Sequence, residues 1–195
     1  AVVERLDVKQ DLFRQLEEVV ADTCILATNT SSLSVTAIAS ACRRPGRVAG
    51  FHFFSPVPLM KVVEVIDSEL GEVEVGDTLA HLARQLGHRP VRTRDTPGFV
   101  VNHAGRGYLT ESLRVLGEGI AGPAEIDRIL RGAGFRMGAF ELFDMIGLDV
   151  SHPVMESIYD QYYQEPRYRP SPITRQRLAA GLLGRKSGRG FYRYA

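Results

Sequence analysis

Arg47-Val-Ala-Gly-Phe-His-Phe-Phe-Ser-Pro-Val-Pro-Leu-Met-Lys-Val-Val-Glu-Val-Ile66 contains two apolar runs of strand composition, Arg47 to Phe54 and Lys61 to Ile66, around a turn with Pro56 and Pro58. Proline fixes φ and removes a hydrogen-bond donor, so residues 55–60 cannot be mid-sheet strand, and the pattern predicts strand, rigid corner, strand. Pairing the two strands brings His52, at the exit of the first, within reach of Glu64 inside the second. A carboxylate on one ring nitrogen fixes the imidazole tautomer and leaves the other nitrogen free to take a proton. The competing reading is a satisfied core histidine beside a solvated strand glutamate.

Before this stretch, Ala1-Val-Val reads as strand. Asp7 opens an amphipathic helix with Leu12, Phe13, Leu16, Val19 and Val20 at helical spacing. Cys24 to Thr28 reads as a short buried strand ending in the polar turn Asn29-Thr-Ser-Ser-Leu33, where Ser31 and Ser32 are equal candidates for a helix cap. Val35 to Cys42 is then a short helix, ended by Arg43-Arg-Pro-Gly46. This strand–helix alternation with short loops predicts a parallel sheet wound with helices.

After Glu64 an acidic connector leads to a helix carrying Leu79, Leu82, Ala83 and Leu86, with Gly87 as its C-terminal stop. Pro90 to Asp95 reads as a polar edge strand, and Thr96-Pro97 as a helix start with a capping hydroxyl and a first-turn proline. From there the pattern is helical: Phe99 to Leu116, a helix from Pro123, then Ala139 to Ile146, Val150 to Tyr163 and Ile173 to Leu183. The reading divides the chain near Asp95 into an α/β part, residues 1–95, and an all-helical part, residues 96–195.

A formal net charge of +1 gives no reason to expect a nucleic-acid or membrane-surface partner. Cys24 and Cys42 have neither metal-ligand nor redox spacing, and two lone thiols suit a reducing compartment. No apolar stretch is long enough to span a bilayer. The expectation is a soluble, cytoplasmic protein. The Gly184-Arg-Lys-Ser-Gly-Arg-Gly190 tail is one short copy that ends in Phe191-Tyr192, which speaks against a nucleic-acid arm and reads on its own as a flexible surface tail.

HFFSPVPLMKVVEV, residues 52–65, resembles the HFFNPxPxMxLVEV signature of the 3-hydroxyacyl-CoA dehydrogenases. It is followed at similar spacing by Asp95-Thr-Pro-Gly-Phe-Val-Val-Asn102 and by Gly184-Arg-Lys-Ser-Gly-Arg-Gly-Phe-Tyr192. One departure stands out: Ser55 occupies the usual position of an asparagine. The resemblance implies a partial doubly wound, Rossmann-type NAD-binding domain over residues 1–95, lacking its first strands, and a helical substrate and dimerisation domain over residues 96–195. For the glycine-rich tail it implies, instead of a flexible end, a docked segment that covers the site.

The implied reaction is NAD-dependent interconversion of a 3-hydroxyacyl-CoA and a 3-oxoacyl-CoA in β-oxidation-type fatty-acid metabolism. By resemblance, His52 is the general base and Glu64 the acid that orients it. Ser31 and Asn102 contact the substrate near the reacting oxygen. Glu4, Lys9, Ser31, Ser55 and Lys186 contact NAD, with Ser55 of shorter reach than the asparagine it replaces. The family pairs through its helical domain, which implies a homodimer here. Met145, Ile146, Met155, Ile158 and Tyr159 are apolar residues beyond what a small bundle needs. No metal site is implied.

A dinucleotide fold also carries strand, G-x-G-x-x-G and helix. The nearest glycine cluster, Gly132-Ala-Gly-Phe-Arg-Met-Gly138, has the wrong spacing and reads as a helix terminator. The resemblance places the fingerprint before the start of this chain, so the chain is expected to be a fragment that binds NAD weakly by itself. The alternative is a non-catalytic dimerisation module of the same fold, which has no need of Ser31, His52, Glu64 and Asn102 together.

Overall fold

The computed structural model describes residues 2–194, which divide into two compact units, Ala1–Val101 and Asn102–Ala195. The first unit contains β1 (Leu26–Thr28), β2 (Val48–Phe53), β3 (Val62–Asp67) and β4 (Arg89–Arg94), in that spatial order. Its helices are α1 (Leu6–Val19), α2 (Val35–Ala39) and α3 (Val73–Gln85). The second holds most of α4 (Val101–Gly117) and all of α5 (Pro123–Gly132), α6 (Ala139–Ile146), α7 (Leu148–Gln161) and α8 (Pro172–Ala179). The fold is thus α/β followed by all-α.

The sheet is mixed rather than parallel throughout. β1 runs parallel to β2 and β3 to β4, while β2 and β3 are antiparallel. The Pro56–Pro58 corner is too short for a crossover helix, so it can only return the chain antiparallel. Alternation along β2 sorts the helices onto two faces. Val48 packs with Phe13, Leu26 and Ile38 under α1 and α2, and its neighbour Ala49 packs with Val65, Val75 and Leu79 under α3. Gly50 pairs with Ile66, and a Cβ there would meet the Ile66 and Val35 side chains at 2.7 and 3.0 Å, so this crossing requires glycine. β4 is an edge, as its polar sequence predicts, and Arg92 is tied to Asp67 (2.7 Å) and Asp77 (2.5 Å).

Several local expectations are corrected. Val2 and Val3 belong to no strand and are exposed; Ala1 lies outside the described residues. On α1, Val19 is 78% exposed, while Lys9 and Glu17 are buried because each finds an opposite charge, Glu4 and Arg47 respectively. Neither Ser31 nor Ser32 caps α2. Ser34 does so, its hydroxyl accepting from the Ala37 N–H, and the Asp95 carboxylate accepts from the N–H groups of Val35 and Thr36 and from the Ser34 hydroxyl. The helix expected at Thr96 begins only at Val101. Gly98 (φ 79°) and Phe99 (φ 48°) turn the chain first, with the Phe99 N–H on the Thr96 carbonyl at 2.8 Å. α2 and α8 are also shorter than read, α8 stopping ahead of Gly181 at φ 69°.

In the helical unit, Leu109, Leu113, Ile126, Phe140, Phe143, Leu148 and Met155 form one core. Met155 and Ile158 are fully buried, so they are core residues and not a surface for a second copy; Met145 and Ile146 are 48% and 37% exposed. The glycine-rich tail docks within this unit. The fully buried Asp144 of α6 accepts from the N–H groups of Phe191 and Tyr192 (both 2.8 Å) and from the Tyr194 hydroxyl (3.0 Å). No helix among the described residues is long and apolar enough to cross a membrane.

Candidate active site

His52 and Glu64 are direct cross-strand partners in the β2–β3 register. Their side chains share the face that carries Val48, Gly50 and Ile66, because positions two and four residues apart along a strand point the same way. His52 is 5% exposed and Glu64 fully buried, and His52 Nδ1 lies 2.7 Å from Glu64 Oε2. An ionised carboxylate only accepts, so Nδ1 carries the proton and donates it, and Nε2 is left as the basic nitrogen.

The other oxygen of Glu64 reaches the turn that precedes α4. Oε1 accepts from the N–H groups of Val100 (2.9 Å) and Val101 (2.8 Å), donors that an incoming helix leaves unpaired. One buried carboxylate therefore holds both the imidazole and the start of α4. The Phe99 ring lies 5.9 Å from the His52 ring and the Phe54 ring 4.6 Å, giving His52 an aromatic surround. The backbone at Phe99 is in the left-handed region, rare for a bulky residue, and the residue is held there while 4% exposed.

A second cluster forms at the C-terminal end of β1, beside the same end of its parallel neighbour β2. Asn29 Oδ1 accepts from the Phe53 N–H (2.8 Å) and ties the loop to the strand that bears His52. Glu4 Oε1 accepts from the Thr30 hydroxyl and the Ser31 N–H (3.1 Å), and Oε2 pairs with Lys9 Nζ at 3.0 Å. Burial pushes the Glu4 carboxyl up, but the Thr30 hydroxyl, the Lys9 ammonium and the Ser31 N–H outweigh it and hold it below the ordinary carboxylate range. The region beyond the carboxyl ends of parallel strands is where open α/β sheets bind ligands. A carboxylate beside hydroxyls and one ammonium suits sugar hydroxyls and an amide; it would repel a pyrophosphate. Ser55 is exposed in the corner after β2.

The structure thus brings together His52 with Glu64, and Glu4 with Lys9 and Ser31, within the first unit. Asn102, partly buried, follows Val101 directly in the chain and opens the second unit. Lys186 is held inside that unit by Asp149, with Nζ 2.9 Å from Oδ1. The reading of the sequence gave no role to the Val100 and Val101 amides or to Arg106, and did not see Asp95 as a partner of the start of α2. Arg106, 5% exposed on α4, carries a guanidinium that burial pushes down to about 10. The amides leave no side-chain signal, and an isolated arginine in a helical pattern reads as solvated.

Comparison with known proteins sets this geometry in context. A family described as "3-hydroxyacyl-CoA dehydrogenase, NAD binding domain" matches residues 1–96, and one described as "3-hydroxyacyl-CoA dehydrogenase, C-terminal domain" matches residues 98–194. The chain is 48% identical over 193 residues to the 3-hydroxyadipyl-CoA dehydrogenase of Escherichia coli K12, covering 98% of the chain and 41% of that protein. It is 42% identical over all 195 residues to the human mitochondrial hydroxyacyl-coenzyme A dehydrogenase, covering 62% of it. A crystal structure of 3-hydroxybutyryl-CoA dehydrogenase from Escherichia coli K12 superposes with a TM-score of 0.96 at 46% identity, over 99% of this chain and 41% of that one. The chain therefore spans less than two thirds of these relatives.

Proposed function

The chain belongs to the 3-hydroxyacyl-CoA dehydrogenase family, and on that premise we propose that the whole protein oxidises a 3-hydroxyacyl-CoA to the 3-oxoacyl-CoA with NAD, as a step of β-oxidation-type degradation. The observation that carries the reading is the buried His52–Glu64 pair with Nδ1 committed to the carboxylate. His52 Nε2 takes the proton from the C3 hydroxyl as hydride leaves C3, and returns it to the forming alkoxide in the reverse direction. Glu64 holds the ring in the required tautomer and stabilises the imidazolium that forms. Ser31 and Asn102 donate to the C3 oxygen. For Ser31 the bonding supports this role, since its N–H is spent on Glu4 and its hydroxyl has no partner among the described residues.

Bound NAD supplies the hydride acceptor. Its nicotinamide ribose end suits the cluster of Glu4, Lys9 and Ser31, with Ser55 and Lys186 as further contacts; the pyrophosphate needs a glycine turn at a helix N-terminus that these 195 residues do not contain. We assign residues 1–95 to a partial NAD-binding domain and residues 96–195 to a helical substrate and dimerisation domain. A homodimer through the helical unit belongs to the same proposal, supported by exposed Ile129, Phe135, Met145, Ile146 and Val150. A cytoplasmic location suits the two free thiols.

The related proteins are named for different acyl groups, 3-hydroxybutyryl and 3-hydroxyadipyl among them. The test is NADH formation by the whole protein from a panel of 3-hydroxyacyl-CoA thioesters. NADH formation with at least one of them is expected. A folded protein that binds and oxidises none would overturn the reading.

A further inference from the structure

Arg106 lies on α4 one turn after Asn102 and is 5% exposed. Its Nε donates to the Asn102 carbonyl at 3.3 Å, which folds the side chain back toward the start of the helix. Its Nη1 is buried without a hydrogen-bond partner, and no carboxylate among the described residues offsets its charge. A guanidinium stays charged at neutral pH even in such a setting. A desolvated cation with no partner weighs against the fold, and an anion from outside the chain is the group that would relieve it.

We propose that Arg106 binds a carboxylate at the far end of the acyl group, and that the preferred substrates are 3-hydroxyacyl-CoA thioesters of dicarboxylic acids. The proposal rests on the reading above that Asn102 meets the C3 oxygen. Four residues of helix rise about 6 Å, and the folded-back side chain shortens the gap further, so the amide and the guanidinium share one helix face a few methylenes apart. An acyl chain with its C3 oxygen on Asn102 reaches the guanidinium within a short run of carbons. There the planar fork can take both carboxylate oxygens. The phosphates of CoA are also anionic, but they hang on the other side of C3 at the end of the whole pantetheine arm, out of reach of a group one helical turn from Asn102.

The test compares kcat/KM of the whole protein on 3-hydroxyadipyl-CoA and on 3-hydroxyhexanoyl-CoA, which has the same chain length without the carboxylate. A preference of about 100-fold for the adipyl substrate is expected, and Arg106→Leu should abolish that ratio while Arg106→Lys restores part of it. A ratio near one in the unmodified protein overturns the inference, whatever becomes of the variants. A ratio that survives Arg106→Leu overturns it as well. Oxidation of both substrates without preference removes this inference alone; oxidation of neither, nor of 3-hydroxybutyryl-CoA, removes the proposed function with it.

Discussion

Replacing Glu64 by glutamine keeps its shape and sets two demands against each other. The carboxylate now serves three donors, His52 Nδ1 on one oxygen and the Val100 and Val101 N–H groups on the other. An amide has one acceptor oxygen, so it can serve only one side. If the oxygen stays on the two backbone N–H groups, the NH2 faces His52, Nδ1 must accept, and the ring proton moves to Nε2. If the oxygen keeps His52, the NH2 faces two buried N–H donors, and each unmet donor costs about 1–3 kcal/mol, or about 2–6 kcal/mol for both. Moving the proton within a neutral imidazole leaves no group unpaired, so the first arrangement wins. In the proposed mechanism, the nitrogen that takes the substrate proton is then already protonated. Glu64→Gln should therefore lower kcat of the whole protein by about 10²- to 10⁴-fold. It should also reduce stability by about 1–2 kcal/mol, as charge-assisted bonds become neutral ones. Imidazole nitrogen NMR reads the tautomer directly, and the urea midpoint reads the stability. A variant with near-native kcat, or with the His52 proton still on Nδ1 and the fold intact, would refute the reasoning.

Other residues carry narrower expectations. Asp95→Ala removes three bonds at the start of α2 and should cost about 2 kcal/mol by urea denaturation. Asp144→Ala strips the tail of its main anchor and should open residues 184–194 to limited proteolysis while far-ultraviolet circular dichroism stays native. At Glu17, burial pushes the carboxyl up but is outweighed by the Arg43 and Arg44 N–H groups and the Arg47 guanidinium, so the net shift is downward. A depressed carboxyl pKa gives stability that is present above its unfolded value and lost as pH falls through the folded one. The urea midpoint should therefore decline as pH drops from the ordinary carboxylate range to below it, and Glu17→Gln should lower the neutral-pH plateau and flatten that decline.

The His52–Glu64 pair was legible in the sequence because strand alternation and a short proline corner leave little freedom in register. The succession of α/β and then helical segments was legible for a similar reason, since it rests on periodicities that each segment carries within itself. Features that failed to show were set by partners far along the chain. Thr96-Pro97 has the composition of a helix start, yet α4 begins where Glu64, 36 residues earlier than Val100, can receive its first N–H groups. Ser31 and Ser32 look like caps, but Asp95 and Ser34 do that work. Lys9 and Glu17 interrupt the apolar face of α1 and are buried all the same, because Glu4 and Arg47 meet them there. Arg106 gives no pattern at all, since only the packed structure shows its charge without a partner.

The most direct test of the account is the single-turnover rate of hydride transfer in the whole protein with His52→Gln, at saturating NAD and 3-hydroxyacyl-CoA. If His52 Nε2 takes the C3 hydroxyl proton, the rate should fall by about 10²- to 10⁴-fold while NAD and acyl-CoA still bind. A rate close to that of the unmodified protein would contradict the assignment of His52 as the base.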